Sequence, residues 1–219
     1  MRSGGFWRKP SPWVWTVFGL SMLLFLVSMA TWREGRRFVS RRLEPKEARV
    51  VGEAMKLWSE LPGVERVEGC RSLVHSGELR VMHALTFVRA QERATFGYTS
   101  EHGRILLNPA ICFASQRMSG LEKPTESDIV ATLATLYHEM QHLRYGATEE
   151  AAYEAEWHLV RCARVWASDQ GRASLSQAFS VWEEEMPERV RLTLGQDSVD
   201  RVQARQALSL SSPELSRSR

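Results

Sequence analysis

Cysteine is scarce in this 219-residue chain: Cys70, Cys112 and Cys162 stand far apart. No CxxC pair is present to make a thiolate zinc site or a dithiol redox centre. The three read as free thiols buried in a core, while an oxidising compartment would allow one disulfide with one cysteine left over. Any surplus of positive charge over the bulk of the chain is also missing. The net charge is +3, but the first 42 residues hold eight Lys/Arg against one Glu, and the remainder holds 21 Lys/Arg against 25 Asp/Glu. That mildly acidic remainder has no stripe of Lys/Arg with interleaved aromatics, so counterion release at a phosphate backbone has no basis and no nucleic-acid partner is expected. Internal repeats are absent, and 43% hydrophobic with 25% charged residues excludes collagen-like, coiled-coil and wholly disordered chains.

One long uncharged run is present. Trp13 to Trp32, WVWTVFGLSMLLFLVSMATW, would span about 30 Å as a helix, the thickness of a bilayer's hydrocarbon layer. Trp7, Trp13, Trp15 and Trp32 fall where an aromatic belt would lie. A cleaved signal peptide is the competing reading, with Ser28-Met29-Ala30 as its cleavage site. The run is long for that purpose, and Arg33, Arg36, Arg37, Arg41 and Arg42 follow it directly, a flank that resists translocation. The expected organisation is therefore a basic segment (1–12), a single transmembrane anchor (13–32), a basic linker (33–44), one domain (45–209) and a disordered tail (210–219). The heavier downstream basic cluster favours a cytoplasmic main domain, although the N-terminal flank is basic too.

Within the domain, Pro45 opens a helical pattern that stops at Leu61-Pro62-Gly63. Extended stretches follow at Leu79–Val88 and Ala94–Ala114, the second broken by a turn at Ser100–Gly103 and containing a strand over Arg104–Asn108 that ends at Pro109. Thr125-Glu126-Ser127-Asp128 has the form of a capping box. From Glu126 to about Arg144, Ile129, Val130, Leu133, Leu136, Tyr137 and Met140 recur at helical spacing and define a buried face. Gly146 stops that helix and Thr148 can cap another, from Glu149 to about Ser168. A third runs over Leu175–Met186 and ends at Pro187, and a fourth covers Val199–Leu208. Trp157, Trp166 and Trp182 read as core.

The chemistry is concentrated in His138-Glu139-Met140-Gln141-His142. Histidines at i and i+4 of a helix share one face, about 6 Å apart along the axis, so two imidazole nitrogens can converge on a tetrahedral metal. Glu139 would stand beside that metal as a general base for its activated water. In a chain of this composition the pattern is expected by chance about 0.02 times.

From this motif, the strand before it and the glutamate-bearing helix after it, residues 95–165 resemble the zincin metallopeptidases. The resemblance implies an α+β, zincin-like fold in which a small antiparallel or mixed sheet packs on the HExxH helix and further C-terminal helices. It implies Zn2+ as cofactor, His138 and His142 as ligands, Glu139 as the catalytic base, and a peptide or protein substrate laid along an edge strand, the position that Arg104–Asn108 would take. The metzincin pattern is not met, because Tyr145 and Thr148 stand at its glycine and third histidine. A gluzincin-like set of two His and one Glu is closer. Glu149-Glu150-Ala151-Ala152-Tyr153 resembles the pattern that carries the third ligand in such families and points to Glu149. An antiparallel hairpin straight from Gly146 would instead bring Glu154 to the metal, so Glu150 and Glu154 stay open as alternatives, with Glu156 further off. Tyr145, Tyr153 and His158 are candidate hydrogen-bond donors to the reacting oxygen. His75, His83 and His102 have no partner spacing. The resulting expectation is a membrane-anchored zinc metallopeptidase; the alternative is a membrane-anchored scaffold that keeps the fold without turnover.

Overall fold

Pro45, whose ring presets a helical φ and whose missing N–H costs nothing in a first turn, starts helix α1 (Pro45–Glu60). The Glu44 backbone N–H donates to Glu47 Oε2 at 2.8 Å, and the same carboxylate is gripped by Arg41 Nη1 and Nη2 at 2.7 and 2.6 Å. That bidentate pair ties α1 to strand β1 (Ser40–Arg41), which arises inside the expected basic linker. The computed structural model describes residues 21–22, 40–64, 68–82, 96–100, 103–115 and 123–211. The chain divides into Met1–Phe38 and Val39–Arg219. In the first unit only Ser21 and Met22 are described, and they are helical. Apart from those two residues the expected anchor lies outside the described residues, as do segment 1–12, linker positions 33–39, His83, His102 and the tail beyond Ser211. Among the described residues no helix is long and apolar enough to cross a membrane.

The second unit is α+β and mostly helical. After α1 come α2 (Glu68–Ser76), β2 (Leu79–Met82), β3 (Gly97–Thr99), β4 (Ile105–Leu107) and a single helical turn, α3 (Pro109–Cys112). Four longer helices complete it: α4 (Glu126–Tyr145), α5 (Glu149–Asp169), α6 (Ala173–Leu194) and α7 (Gln196–Ser211). The sheet order is β1-β2-β4-β3. β1 pairs antiparallel with β2, β2 parallel with β4, and β4 antiparallel with β3, so the sheet is mixed. The turn between β3 and β4 closes where Gly103, at φ 75°, donates to the Ser100 carbonyl.

Helix α4 is the centre of the domain. Thr125 caps it by accepting from the Asp128 N–H, and Asp128 in turn accepts from the Ser115 N–H at 3.1 Å. Val130, Leu133, Leu136 and Met140 are buried as their spacing demands, and so are Ala131, Thr132, Ala134 and Thr135 on the other sides. The helix is thus covered nearly all round, by α1, by β3 and β4, and by α5 and α6. Thr132 fastens α3 to it by donating to the Cys112 carbonyl at 3.0 Å.

The structure departs from five of these expectations. Residues 109–112 are helical, because Asn108 accepts from the Ala110 N–H and caps a turn that Pro109 begins. Strand β4 is interior, between β2 and β3, and among the described residues the edge strands are β1 and β3, of which β3 packs on α4. Pro187 does not end α6. Its cost inside a helix is about 3 kcal/mol, while continuing the helix past it buries Val190 completely, worth about 1.5–3 kcal/mol, and brings buried Arg189 over Trp182 with its Nη2 on Glu185. Finally, Cys112 is buried but Cys162 is exposed; burial pushes the Cys112 thiol up to about 12. Trp157 and Trp182 are buried as expected, whereas Trp166 is half-buried under the Arg172 guanidinium.

Candidate metal centre

The link between α4 and α5 is short and closed at both ends. Gly146, in the left-handed region at φ 60°, donates to the His142 carbonyl, and Ala147 N–H donates to the Gln141 carbonyl, a hydrogen-bond pair that satisfies the end of α4. Thr148 then caps α5 by accepting from Ala151 N–H. Glu149 is the first residue of α5, where the helix dipole favours a carboxylate. Fully buried Ala152 lets this end of α5 lie close to α4. Glu149, Ala152, Tyr153 and Glu156 follow i, i+3, i+4 and i+7 and so share one face.

That face meets the two histidines. His138 Nε2 lies 3.3 Å from Glu149 Oε2, His142 Nε2 lies 3.5 Å from Glu149 Oε1, and the two Nε2 atoms are 3.2 Å apart. Among the described residues His138, His142 and Glu149 form the one group able to hold a metal ion. Ligands about 2.0–2.1 Å from a tetrahedral metal stand about 3.3 Å from one another, which is the spacing found. Glu150 and Glu154 are placed elsewhere: Glu150 pairs with Arg201 and Arg205, and Glu154 with Arg205, all on α7. Five residues of helix carry Glu154 about 140° around the axis from Glu149, so a close α4–α5 hairpin cannot present both.

The other ring nitrogens are also fixed. His142 Nδ1 lies 2.8 Å from the Ala147 carbonyl and His138 Nδ1 lies 3.0 Å from Glu156 Oε2. Both partners only accept, so each Nδ1 carries the proton and each neutral ring turns an Nε2 lone pair toward the other. Two lone pairs and a carboxylate facing one another need a cation between them. In the metal-free protein a proton serves. Burial disfavours charge on His138, but the hydrogen bonds to Glu149 and Glu156 and the charges of Glu156 and Glu139 outweigh it and raise its pKa to about 10. His142 is raised, first by its hydrogen bond to Glu149. Glu149 is held well below the usual carboxylate range by His138 and then His142.

Glu139 is buried and stands apart from the three ligand candidates, with the Thr99 hydroxyl 2.8 Å from its Oε2 and 3.1 Å from its own carbonyl oxygen. Burial raises its pKa, against the lowering effects of His138 and the Thr99 hydrogen bond. Behind His138, Glu156 also accepts from Trp182 Nε1 at 2.9 Å and faces Arg189 Nη1 at 3.8 Å. Arg189 is buried over the rings of Trp182 and Phe96, at 3.3 and 4.4 Å from their centroids, and its Nη2 meets Glu185 at 2.6 Å. A cleft opens on this constellation, lined in part by Gly97, Glu139, Glu149, Tyr153 and Arg189.

Of the other candidates, Tyr153 lines the cleft with its ring 4.5 Å from that of His138 and its hydroxyl 3.0 Å from Thr193 Oγ1. Tyr145 is exposed at the end of α4, and His158 sits on the exposed face of α5 beside Cys162, neither lining the cleft. Sequence reasoning missed the supporting roles of Glu156, Thr99 and Arg189. The i+7 spacing from Glu149 was a usable signal for Glu156; Thr99 and Arg189 had none. No protein family, curated protein or solved structure matches the chain.

Proposed function

We propose that this chain is a membrane-anchored, zinc-dependent metallopeptidase. The observation that carries the reading is the convergence of His138 Nε2, His142 Nε2 and the Glu149 carboxylate at tetrahedral-ligand spacing, with both Nδ1 atoms tied to acceptors. Two imidazoles and one carboxylate suit zinc, and three protein ligands leave a fourth position for substrate or water. Zinc in this set supplies a Lewis acid that polarises a carbonyl and activates water near neutral pH.

The chain's own residues supply the rest. Glu139, buried at the cleft wall, takes the proton of the attacking water and passes it to the leaving amine; burial, which raises its pKa, suits a group that must hold and then release that proton. The Phe96 carbonyl and Ser100 N–H bond across to β4, so by antiparallel alternation the backbone groups of Gly97 and Thr99 face away from β4, toward an edge that no other described strand occupies. An extended peptide can add there as a further strand, beside Glu139. The edge role expected of Arg104–Asn108 thus passes to β3. A cleft open onto both Glu139 and Glu149 favours turnover over the scaffold alternative. The Trp13–Trp32 run supports the anchor.

The test is full-length protein in detergent, assayed for bound zinc and for cleavage of a mixed quenched-fluorescent peptide library. About one zinc per chain and peptide cleavage are expected. Glu139→Gln should keep the zinc, because the residue is not a ligand, and lower turnover by several orders of magnitude. Retained activity in that variant refutes the mechanism.

A further inference from the structure

We propose that Thr99 is a positioning residue for the reaction: its hydroxyl holds one oxygen of Glu139 so that the other is left facing the reacting water. The inference rests on the metallopeptidase reading and specifies how its general base is aimed.

The geometry comes from the way β3 lies against α4. Thr99 and Gly97 are two apart on the strand, so both point to the same face, and that face meets Glu139. Thr99 Oγ1 lies 2.8 Å from Glu139 Oε2. At Gly97, a Cβ would stand 2.7 Å from Glu139 Oε1, 2.8 Å from Glu139 Cγ and 2.7 Å from Thr135 Cγ2. Any side chain there would displace the carboxylate; glycine lets the strand lie against Oε1 without moving it. The strand therefore treats the two oxygens differently. Oε2 is tied to a hydroxyl, and Oε1 lies on the side of Gly97, which lines the cleft together with Glu139 and Glu149.

A glutamate carboxylate on three flexible torsions has no fixed direction of its own, and rotation away from the proton it must take costs rate with little effect on substrate binding. Buried Glu139 is held by this hydroxyl from an element remote in sequence. Thr99 also lies within 3.1 Å of the Glu139 backbone carbonyl, so its single hydrogen is shared between the helix and the carboxylate, and the strand, the helix and the base are referenced to one another at one point.

The test compares zinc-loaded full-length Thr99→Val, which keeps the shape and removes the hydroxyl, with Thr99→Ser, which keeps the hydroxyl. Thr99→Val should lower kcat about 10- to 100-fold with KM within about twofold, as expected for a misaimed catalytic group. Thr99→Ser should restore most of it. In a Glu139→Gln background, Thr99→Val should change the residual rate by less than about twofold, since a residue acting through Glu139 has nothing left to position. A readout independent of turnover is the crystal structure of each zinc-loaded variant: one Glu139 rotamer in the parent and Thr99→Ser, more than one in Thr99→Val. Should Thr99→Val fold poorly, Thr99→Ala serves as the second hydroxyl-free variant. Unchanged kcat in Thr99→Val, an equal loss in Thr99→Ser, a loss that persists undiminished beside Glu139→Gln, or a single unmoved Glu139 rotamer in Thr99→Val overturns the assignment of Thr99. Turnover by Glu139→Gln alone at close to the parent rate instead overturns the peptidase reading on which it rests.

Discussion

Replacing Glu156 by glutamine should weaken metal binding without touching a ligand. In the native site the Glu156 carboxylate accepts twice, from His138 Nδ1 at 3.0 Å and from Trp182 Nε1 at 2.9 Å, and a carboxylate can satisfy both because it has only acceptor oxygens. An amide cannot. If its oxygen takes the His138 proton, its NH2 confronts the Trp182 N–H, donor against donor. If the amide turns over, its NH2 donates to His138 Nδ1 and drives the ring's proton onto Nε2, the atom that faces Glu149 and His142. The first orientation forfeits a buried hydrogen bond, a loss of about 1–3 kcal/mol; the second keeps both bonds but leaves a proton on the nitrogen that would bind the metal. Arg189, also buried, loses the carboxylate charge 3.8 Å from its Nη1 and keeps, among the described residues, the ion pair with Glu185. Partners of metal-bound histidines typically cost 10- to 100-fold in affinity when changed, about 1.4–2.7 kcal/mol. Zinc titration against a chromophoric chelator, with Glu154→Gln as the surface control, measures this directly. Affinity within about threefold of the parent in Glu156→Gln would refute the claim that the Glu156–His138 contact sets the tautomer.

Glu149→Ala should abolish tight zinc binding and the thermal stabilisation that zinc confers, whereas Glu150→Ala and Glu154→Ala should leave both within about twofold, since exposed pairs such as theirs with α7 contribute little; chelator competition and melting curves decide, and a collapse confined to either control overturns the ligand set. The metal-free protein should lose stability as pH rises. His138 has a folded pKa raised to about 10, so its contribution is complete below about 6.5 and is lost by pH 10, while Glu149, whose pKa is lowered, contributes above about 4.3 and loses that contribution as pH falls. Melting temperature of chelator-treated protein should fall from pH 6.5 to 10, zinc affinity should rise over the same interval because binding releases the His138 proton, and a flat melting profile refutes this. The full-length chain should sediment with membranes, resist carbonate extraction and keep its N-terminus; a mature chain beginning at Thr31 refutes the anchor in favour of a cleaved signal.

The helical half of the domain was legible because each boundary has local chemistry: Pro45 and Leu61-Pro62-Gly63 for α1, Thr125 and Gly146 for α4, and Thr148 for α5. Apolar spacing located one buried stripe of α4 but could not show that Ala131, Thr132, Ala134 and Thr135 are buried too, since small and hydroxyl residues are ambivalent until packed on both sides. Helix α2 escaped notice because Glu68–Ser76 is short and its described core contribution is Leu73. The continuation of α6 past Pro187 is not legible, because the local rule that ends a helix at proline is overridden by tertiary burial of Arg189 and Val190. The order of the strands was not legible at all. Pairing of β2 with β4, and the consequent edge position of β3, follows from contacts across the sheet that no local pattern encodes.

At the site, legibility followed the number of helices involved. His138 and His142 lie on one helix, where the i, i+4 rule alone brings two nitrogens together, and that much is visible in five letters. The third carboxylate depends on how α5 leaves the turn. A straight antiparallel hairpin pointed to Glu154, and resemblance to known zincins pointed to Glu149. The structure brings Glu149 to the histidines because the Gly146–Ala147 bonds and the His142–Ala147 contact fold the link back at once, so that the first residue of α5 is already level with them. One helix face then fixes the rest. With Glu149 at the ligand atoms, Glu156 two turns later falls behind His138, and Glu150 and Glu154 are turned toward Arg201 and Arg205 of α7. The acidic residues that look interchangeable in sequence are thus separated by helical phase into a ligand candidate, a partner for a ligand histidine, and two residues ion-paired with α7. Thr99 belongs to a third element, and nothing short of the β3–α4 packing connects it to Glu139.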